Sequence, residues 1–185
     1  MSHRNSIVLA FALAGALSLT GVGVPAALAA DTGAFGQVNA AAPLRADADG
    51  FTIDDGVLVS YTGSATQVRI PEGVTEISTN AFSGAQVTSV WIPASVRAID
   101  DSAFAGQPLT QVTFQDEDAH PSQLETIGER AFAYTPLESV TLPRSLKTAG
   151  LETFSDMDKL RSVHLGPNVQ ADGLFAAFAR TPLLE

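Results

Sequence analysis

Ile92-Pro93-Ala94-Ser95-Val96-Arg97-Ala98-Ile99-Asp100-Asp101-Ser102-Ala103-Phe104 decides the fold, because its apolar positions return elsewhere in the chain in the same order and phase. The Ala-Phe pair that ends it recurs at Ala81-Phe82, Ala131-Phe132 and Ala177-Phe178, and Thr153-Phe154 keeps the Phe. The steps between these phenylalanines are 22, 28, 22 and 24 residues. Eight residues before the first four of them stand Val74, Val96, Leu124 and Leu146. Three residues further on lie Ile77, Ile99, Ile127 and Ala149. A last series, Val90, Val112, Val140 and Val163, has Ile92, Phe114, Leu142 and Leu165 two residues later. Four apolar series with one period of about 22 residues exceed what local amphipathicity produces. They predict a solenoid whose coils bury their apolar edges against one another. A β-sandwich of short strands would not need a shared phase.

Within a coil, Val90-Trp91-Ile92 alternates with period two, which predicts a short strand with Val90 and Ile92 inward. Pro71, Pro93 and Pro143 end such strands, since Pro gives no N–H to a ladder. The Ala-Phe segment reads as a short helical or 3-10 turn, with Phe filling the middle of the coil. The expected fold is therefore a leucine-rich-repeat solenoid of the α/β horseshoe class, mostly short parallel strands with such turns. About five coils should occupy residues 68–185, and no polar capping repeat follows them, so the last coil reads as truncated. Its Leu174, Phe175 and Leu183 are then expected to be partly exposed. Residues 51–67 hold two β-type runs about Asp55-Gly56 and read as a hairpin that caps the first coil.

The start of the chain reads differently. Arg4 precedes an apolar run from Ile7 to Val24, then Pro25 and Ala27-Leu28-Ala29, so residues 1–29 read as a cleaved signal peptide. Residues 30–50 are rich in Ala, Gly and Asp and read as a flexible leader. Cleavage after Ala29 removes Arg4 and no acid, which takes the net charge from −10 to −11. That sign opposes nucleic acid and anionic membrane as partners. The chain has no cysteine, so stability must come from buried apolar area and not from disulfides. The mature protein is expected to be secreted or cell-wall associated, with no membrane insertion after the signal is removed.

The stretch from Ile92 to Phe104, with its repeats at Ile70 to Phe82 and Leu124 to Pro143, resembles the BspA-like leucine-rich-repeat family of bacterial surface proteins. The shared unit is an Ile-Pro, a Val-x-x-Ile, an Ala-Phe and a Leu-x-x-Val, and Ile127-Gly128 carries the Ile-Gly of that family. The resemblance covers about Phe51 to Glu185. It implies a right-handed solenoid with parallel strands along one face and a role in binding or adhesion at the cell surface, and it supplies no catalytic residue. Where members often carry Cys, three residues after the Phe, this chain has Ala85, Gln107, Thr135 and Met157, which are expected to pack without redox meaning. An insertion, Gln115 to Gln123, precedes the third coil, and the fifth is one residue out of register before Phe178.

Chemistry-bearing constellations are sparse. Asp47-Ala48-Asp49-Gly50 lacks the flanking oxygen ligands of a calcium loop. Asp116-Glu117-Asp118 with His120 reads as a solvated loop. His164 has no second His or Cys at metal-ligand spacing. No nucleophile is paired with a base, and there is no phosphate-cradling glycine loop. The expectation is a protein that is not an enzyme and uses no cofactor or metal. What remains is the outward side of the strands. Arg69, Trp91, Thr113, Thr141 and His164 should form one exposed row, with Gln67, Ser89, Gln111, Ser139 and Ser162 in the row beside it. Trp and Arg are frequent interface anchors. The row is the expected contact for a host or neighbouring-cell protein or a surface glycan. The competing reading is a non-catalytic repeat region of a larger exported enzyme.

Overall fold

The computed structural model describes residues 49–169 and 176–184. The signal peptide, almost all of the leader, Leu174 and Phe175 lie outside the described residues. Eleven strands are described, β1 Phe51–Asp54, β2 Val57–Tyr61, β3 Gln67–Arg69, β4 Glu76–Ile77, β5 Ser89–Ile92, β6 Ala98–Ile99, β7 Gln111–Phe114, β8 Thr126–Ile127, β9 Ser139–Thr141, β10 Thr148–Ala149 and β11 Ser162–His164. Apart from the β1–β2 hairpin, all pairing is parallel and joins equivalent residues of successive coils. The chain is a β-solenoid of about five turns.

The strands form two ladders where the repeat implied one strand face. The Val series makes β3-β5-β7 and, separately, β9-β11. The Ile77 series makes a second ladder of two-residue strands, β4-β6-β8-β10, to which the hairpin adds in the order β1-β2-β4. Between the two ladders the chain turns at Pro71, Pro93 or Pro143. Ser95 fastens this corner to the coil before it, donating its hydroxyl to the Val74 carbonyl at 2.8 Å and accepting the Gly73 N–H at 3.2 Å. Ser145 donates likewise to Leu124 at 2.8 Å.

Among the described residues the Ala-Phe segments carry no regular helix, only successive turns. The cause is a left-handed residue on each side of the Phe. Asn80, Ser102, Arg130 and Glu152 have φ of 52–56°, and Gly84, Gly106, Tyr134, Asp156 and Arg180 have φ of 54–79°. A residue in that region cannot continue a right-handed helix. Its N–H and that of the Phe are both free of the coil's own turn and reach the next coil. Phe82 N–H thus donates to Ala103, Phe104 to Ala131, Phe132 to Thr153 and Phe154 to Ala177, at 2.7–3.1 Å. These bonds make a third ladder, in which every donor belongs to the earlier coil. The one-residue slip of the fifth coil is visible in it, because Glu152 reaches Ala176 while Phe154 reaches Ala177.

The core follows the repeat. Phe82, Phe104, Phe132 and Phe154 are fully buried and stack with Tyr61 and Phe178 at centroid separations of 4.5–5.6 Å. Phe51, from the hairpin, adds to the Tyr61 end of the column at 4.9 Å. Offset aromatic pairs contribute about 0.5–1.5 kcal/mol each beyond their buried area. Ala85, Gln107, Thr135 and Met157 are all buried, which makes them packing positions as the repeat implied. Gln107 is satisfied there. Its amide donates to Phe82 at 2.9 Å and accepts the Val87 N–H at 3.2 Å. Gly128 is required by close approach, since a Cβ there would sit 2.6 Å from the Asp101 backbone nitrogen.

Candidate binding face

The outward row lies where alternation puts it, but in two pieces. Arg69, Trp91 and Thr113 are in register across β3, β5 and β7. Thr141 and His164 are in register across β9 and β11. No ladder joins β7 to β9. The neighbouring row divides the same way, Gln67-Ser89-Gln111 and Ser139-Ser162. The row thus keeps hydrogen-bonded register within each of these two groups, and β7 and β9 remain neighbours without pairing.

The insertion accounts for the division. Asp116, its second residue, accepts the backbone N–H of Arg144 at 3.0 Å and of Ser122 at 3.2 Å, and its carboxylate meets the Arg144 guanidinium at 3.5 Å. Burial alone would raise the Asp116 carboxyl, but these hydrogen bonds and the Arg144 charge outweigh it and hold the group below the usual carboxylate range. The clasp occupies the corner between β7 and β9. Beside it opens a cavity of about 270 Å3 lined by Val112, Thr113, Phe114, Asp116, Thr141, Leu142 and Pro143. Val112 and Phe114 are accordingly only half-buried, whereas Val90 and Ile92 are fully buried. Within the insertion Glu117 to Pro121 is exposed, as a solvated loop should be, while Ser122 is buried. The Asp116 anchor is the part that sequence reasoning missed.

The first patch has one built feature. The Arg69 guanidinium carbon lies 3.5 Å from the Trp91 ring centroid. Trp91 is half-buried and Arg69 exposed. Such a cation–π contact contributes about 0.5–1 kcal/mol at an exposed site. It also holds two large, rotamer-rich side chains in one arrangement before any partner arrives, which lowers the ordering cost of binding. Arg69 pairs with no carboxylate among the described residues. Thr113, Thr141 and His164 are exposed and make no comparable contact.

A different charge pattern lines the Phe-turn edge. Arg130 bridges to Glu152 at 2.6 Å, and Arg180 to Asp156 at 2.5 Å and to Glu152 at 3.8 Å. The Arg180 hydrogen bond draws the Asp156 carboxyl down to about 2. This ladder fastens coils three, four and five. Its signal was present in the sequence as opposite charges one coil apart, Arg130 with Glu152 and, on another edge, Glu125 with Lys147. Among the described residues no group of three or more His, Cys, Asp or Glu could hold a metal ion, and no helix is long and apolar enough to cross a membrane.

Residues 52–173 match the BspA type leucine rich repeat region in six copies. No curated protein matches the chain. Among solved structures, a leucine-rich-repeat protein of T. pallidum is 30% identical with a TM-score of 0.57, covering 67% of this chain and 62% of its own. A leucine-rich cell-surface protein of Faecalibacterium prausnitzii is 25% identical, with a TM-score of 0.46 over 68% of this chain and 41% of its own. The pneumococcal vaccine antigen PcpA is 23% identical, with a TM-score of 0.46 over 70% of this chain and 40% of its own. The chain thus spans less than two thirds of each of these proteins.

Proposed function

The chain belongs to the BspA-type leucine-rich-repeat family, and from that membership we propose that it is a secreted or cell-surface module that binds a protein or glycan through the β3-β5-β7 strand face. The observation that carries this reading is the Arg69–Trp91 pair, held at 3.5 Å on an otherwise small and polar surface. Trp and Arg are the kind of residues that dominate binding energy when a partner desolvates them. The proposed site is narrower than the five-residue row. It comprises Arg69, Trp91 and Thr113, with Thr141 and His164 beyond the break and outside the footprint.

A glycan array and a pull-down of surface proteins with the mature chain supply the binder. Trp91→Ala should then weaken its binding by about 2 kcal/mol or more, roughly thirtyfold, while leaving the melting transition nearly unchanged. Arg69→Ala should act in the same direction but less, since an exposed charge loses strength to solvent and salt. Thr141→Ala should be silent. A Trp91→Ala protein that melts early and binds normally removes this face as the site.

A further inference from the structure

The front edge of the same sheet carries a feature that the outward row does not use. β3 is the first strand of its ladder and pairs only with β5. The hairpin closes the other ladder, through Val57–Glu76 and Leu58–Ile77, and places no strand beside β3. Ser89 N–H donates to the Thr66 carbonyl at 3.1 Å and Ile70 N–H to the Trp91 carbonyl at 3.0 Å, so Thr66, Val68 and Ile70 turn their backbone groups toward β5. By the alternation of a strand, the N–H and C=O of Gln67 and Arg69 turn to the open side. Among the described residues no backbone group meets them there. Against this edge lies a cavity of about 230 Å3 lined by Phe51, Tyr61, Ala65 and Val68, together with the polar Asp49, Gln67 and Arg69. The Arg69 guanidinium is drawn over the Trp91 ring, toward β5.

We propose that the β3 edge docks an extended polypeptide segment of a protein partner, which adds as a further strand and sets one aliphatic side chain in the cavity. The inference rests on the reading of the chain as a binding module and narrows the partner to a polypeptide. Three constraints select that occupant. Gln67 and Arg69 each offer an N–H and a C=O two residues apart, a spacing that another strand matches and a sugar ring does not. Val68 points inward between them, so a strand laid alongside puts its own inward side chain next to Val68, where the cavity is. Phe51, Tyr61 and Val68 give the cavity apolar walls and Asp49, Gln67 and Arg69 give it polar ones, so it matches an aliphatic side chain flanked by polar neighbours, as an alternating strand presents.

The probe is an acetylated and amidated peptide, Lys-Thr-Val-Thr-Val-Thr-Lys, titrated into the mature protein and followed by amide NMR shifts. Saturable binding is expected, with shifts concentrated at Phe51, Tyr61 and Ala65 to Ile70. The same peptide N-methylated on alternate residues should bind at least tenfold more weakly. Gln67→Pro should cause an equal loss, because it deletes the outward N–H and leaves the bonds from β5 to Thr66 and Val68 in place. Should that variant melt early, Ala65→Trp serves instead, filling the cavity from an exposed position without altering the backbone. Equal binding of the N-methylated peptide, insensitivity to both variants, or no binding by the mature protein each overturns the proposal. So does a glycan that competes for Gln67. Failure of the peptide with the Trp91→Ala effect intact removes the edge alone, and the reverse outcome removes the face alone.

Discussion

The aromatic column and the strand face meet the same insertion and respond differently. Across the 28-residue step the Phe104 and Phe132 rings remain stacked at 5.2 Å and 8°, and Phe104 N–H still reaches Ala131 at 2.9 Å. On the other side of the coil the Val ladder stops at β7 and starts again at β9. The extra residues enter at the corner after β7, and Asp116 wedges that corner by taking N–H groups from Ser122 and Arg144. A repeat protein can therefore change its surface at one edge while the opposite edge keeps the register of the core.

The comparison breaks first at Phe132. If the column is what carries stability across the step, Phe132→Ala should cost roughly 3–5 kcal/mol in denaturant unfolding. A loss under about 1 kcal/mol would mean that the strand ladders hold the coils together and the stack is incidental. Asp116→Ala comes next. It leaves two N–H groups without their acceptor, and a loss of about 1–2 kcal/mol is expected, with faster amide exchange at Ser122 and Arg144. An unchanged exchange pattern there would show that the corner is shaped by the loop and not by the clasp.

Acid should act at both places. The folded pKa values of Asp116 and Asp156 lie below the ordinary range, so their contributions are complete above the unfolded carboxylate pKa and are lost as pH falls through the folded values. For Asp156 that loss is centred at about pH 2. Protection from exchange relative to the intrinsic rate should fall toward that pH at Asp156 and in residues 176–184, and Arg180→Ala should produce the same fall at neutral pH. Insensitivity of those amides to either change would leave the Phe turns alone as the fastening of the fifth coil. The smallest effect is expected from deleting Glu117 to Pro121, which should alter stability by no more than about 1 kcal/mol. Deletion together with Asp116→Ala should let β7 pair with β9, slowing exchange at Val112 and Thr141. A cavity that persists after both changes would place the cause of the break elsewhere.

The repeat was legible because burial enforces it. Phe82, Phe104, Phe132 and Phe154 share one environment, so their spacing was visible without coordinates, and the inward Val90 and Ile92 followed from alternation. The second ladder was visible only as an apolar series, since two residues such as Ala98-Ile99 are too few to alternate. The Ala-Phe segments read as helical because no propensity announces a left-handed Arg130 or Glu152; that conformation is imposed by the neighbouring coil. At the face, the outward position of Trp91 was legible and the Arg69 guanidinium over its ring was not. Register sets which residues are neighbours, and the rotamer sets whether they touch. The division of the row came from a single carboxylate, Asp116, that was legible only as one acid among three.

The turn ladder has an electrical consequence. In the two strand ladders N–H groups point alternately forward and back along the solenoid, so their dipoles nearly cancel. In the Phe turns every inter-coil donor, from Asn80 and Phe82 to Phe154 and Asp156, points toward the later coil. Peptide dipoles aligned head to tail sum as they do in an α-helix. Each added coil thus lengthens a macrodipole along the solenoid axis, carbonyl-negative toward the hairpin and amide-positive toward Phe178. The two directions along this molecule are electrostatically different even where its side chains are neutral.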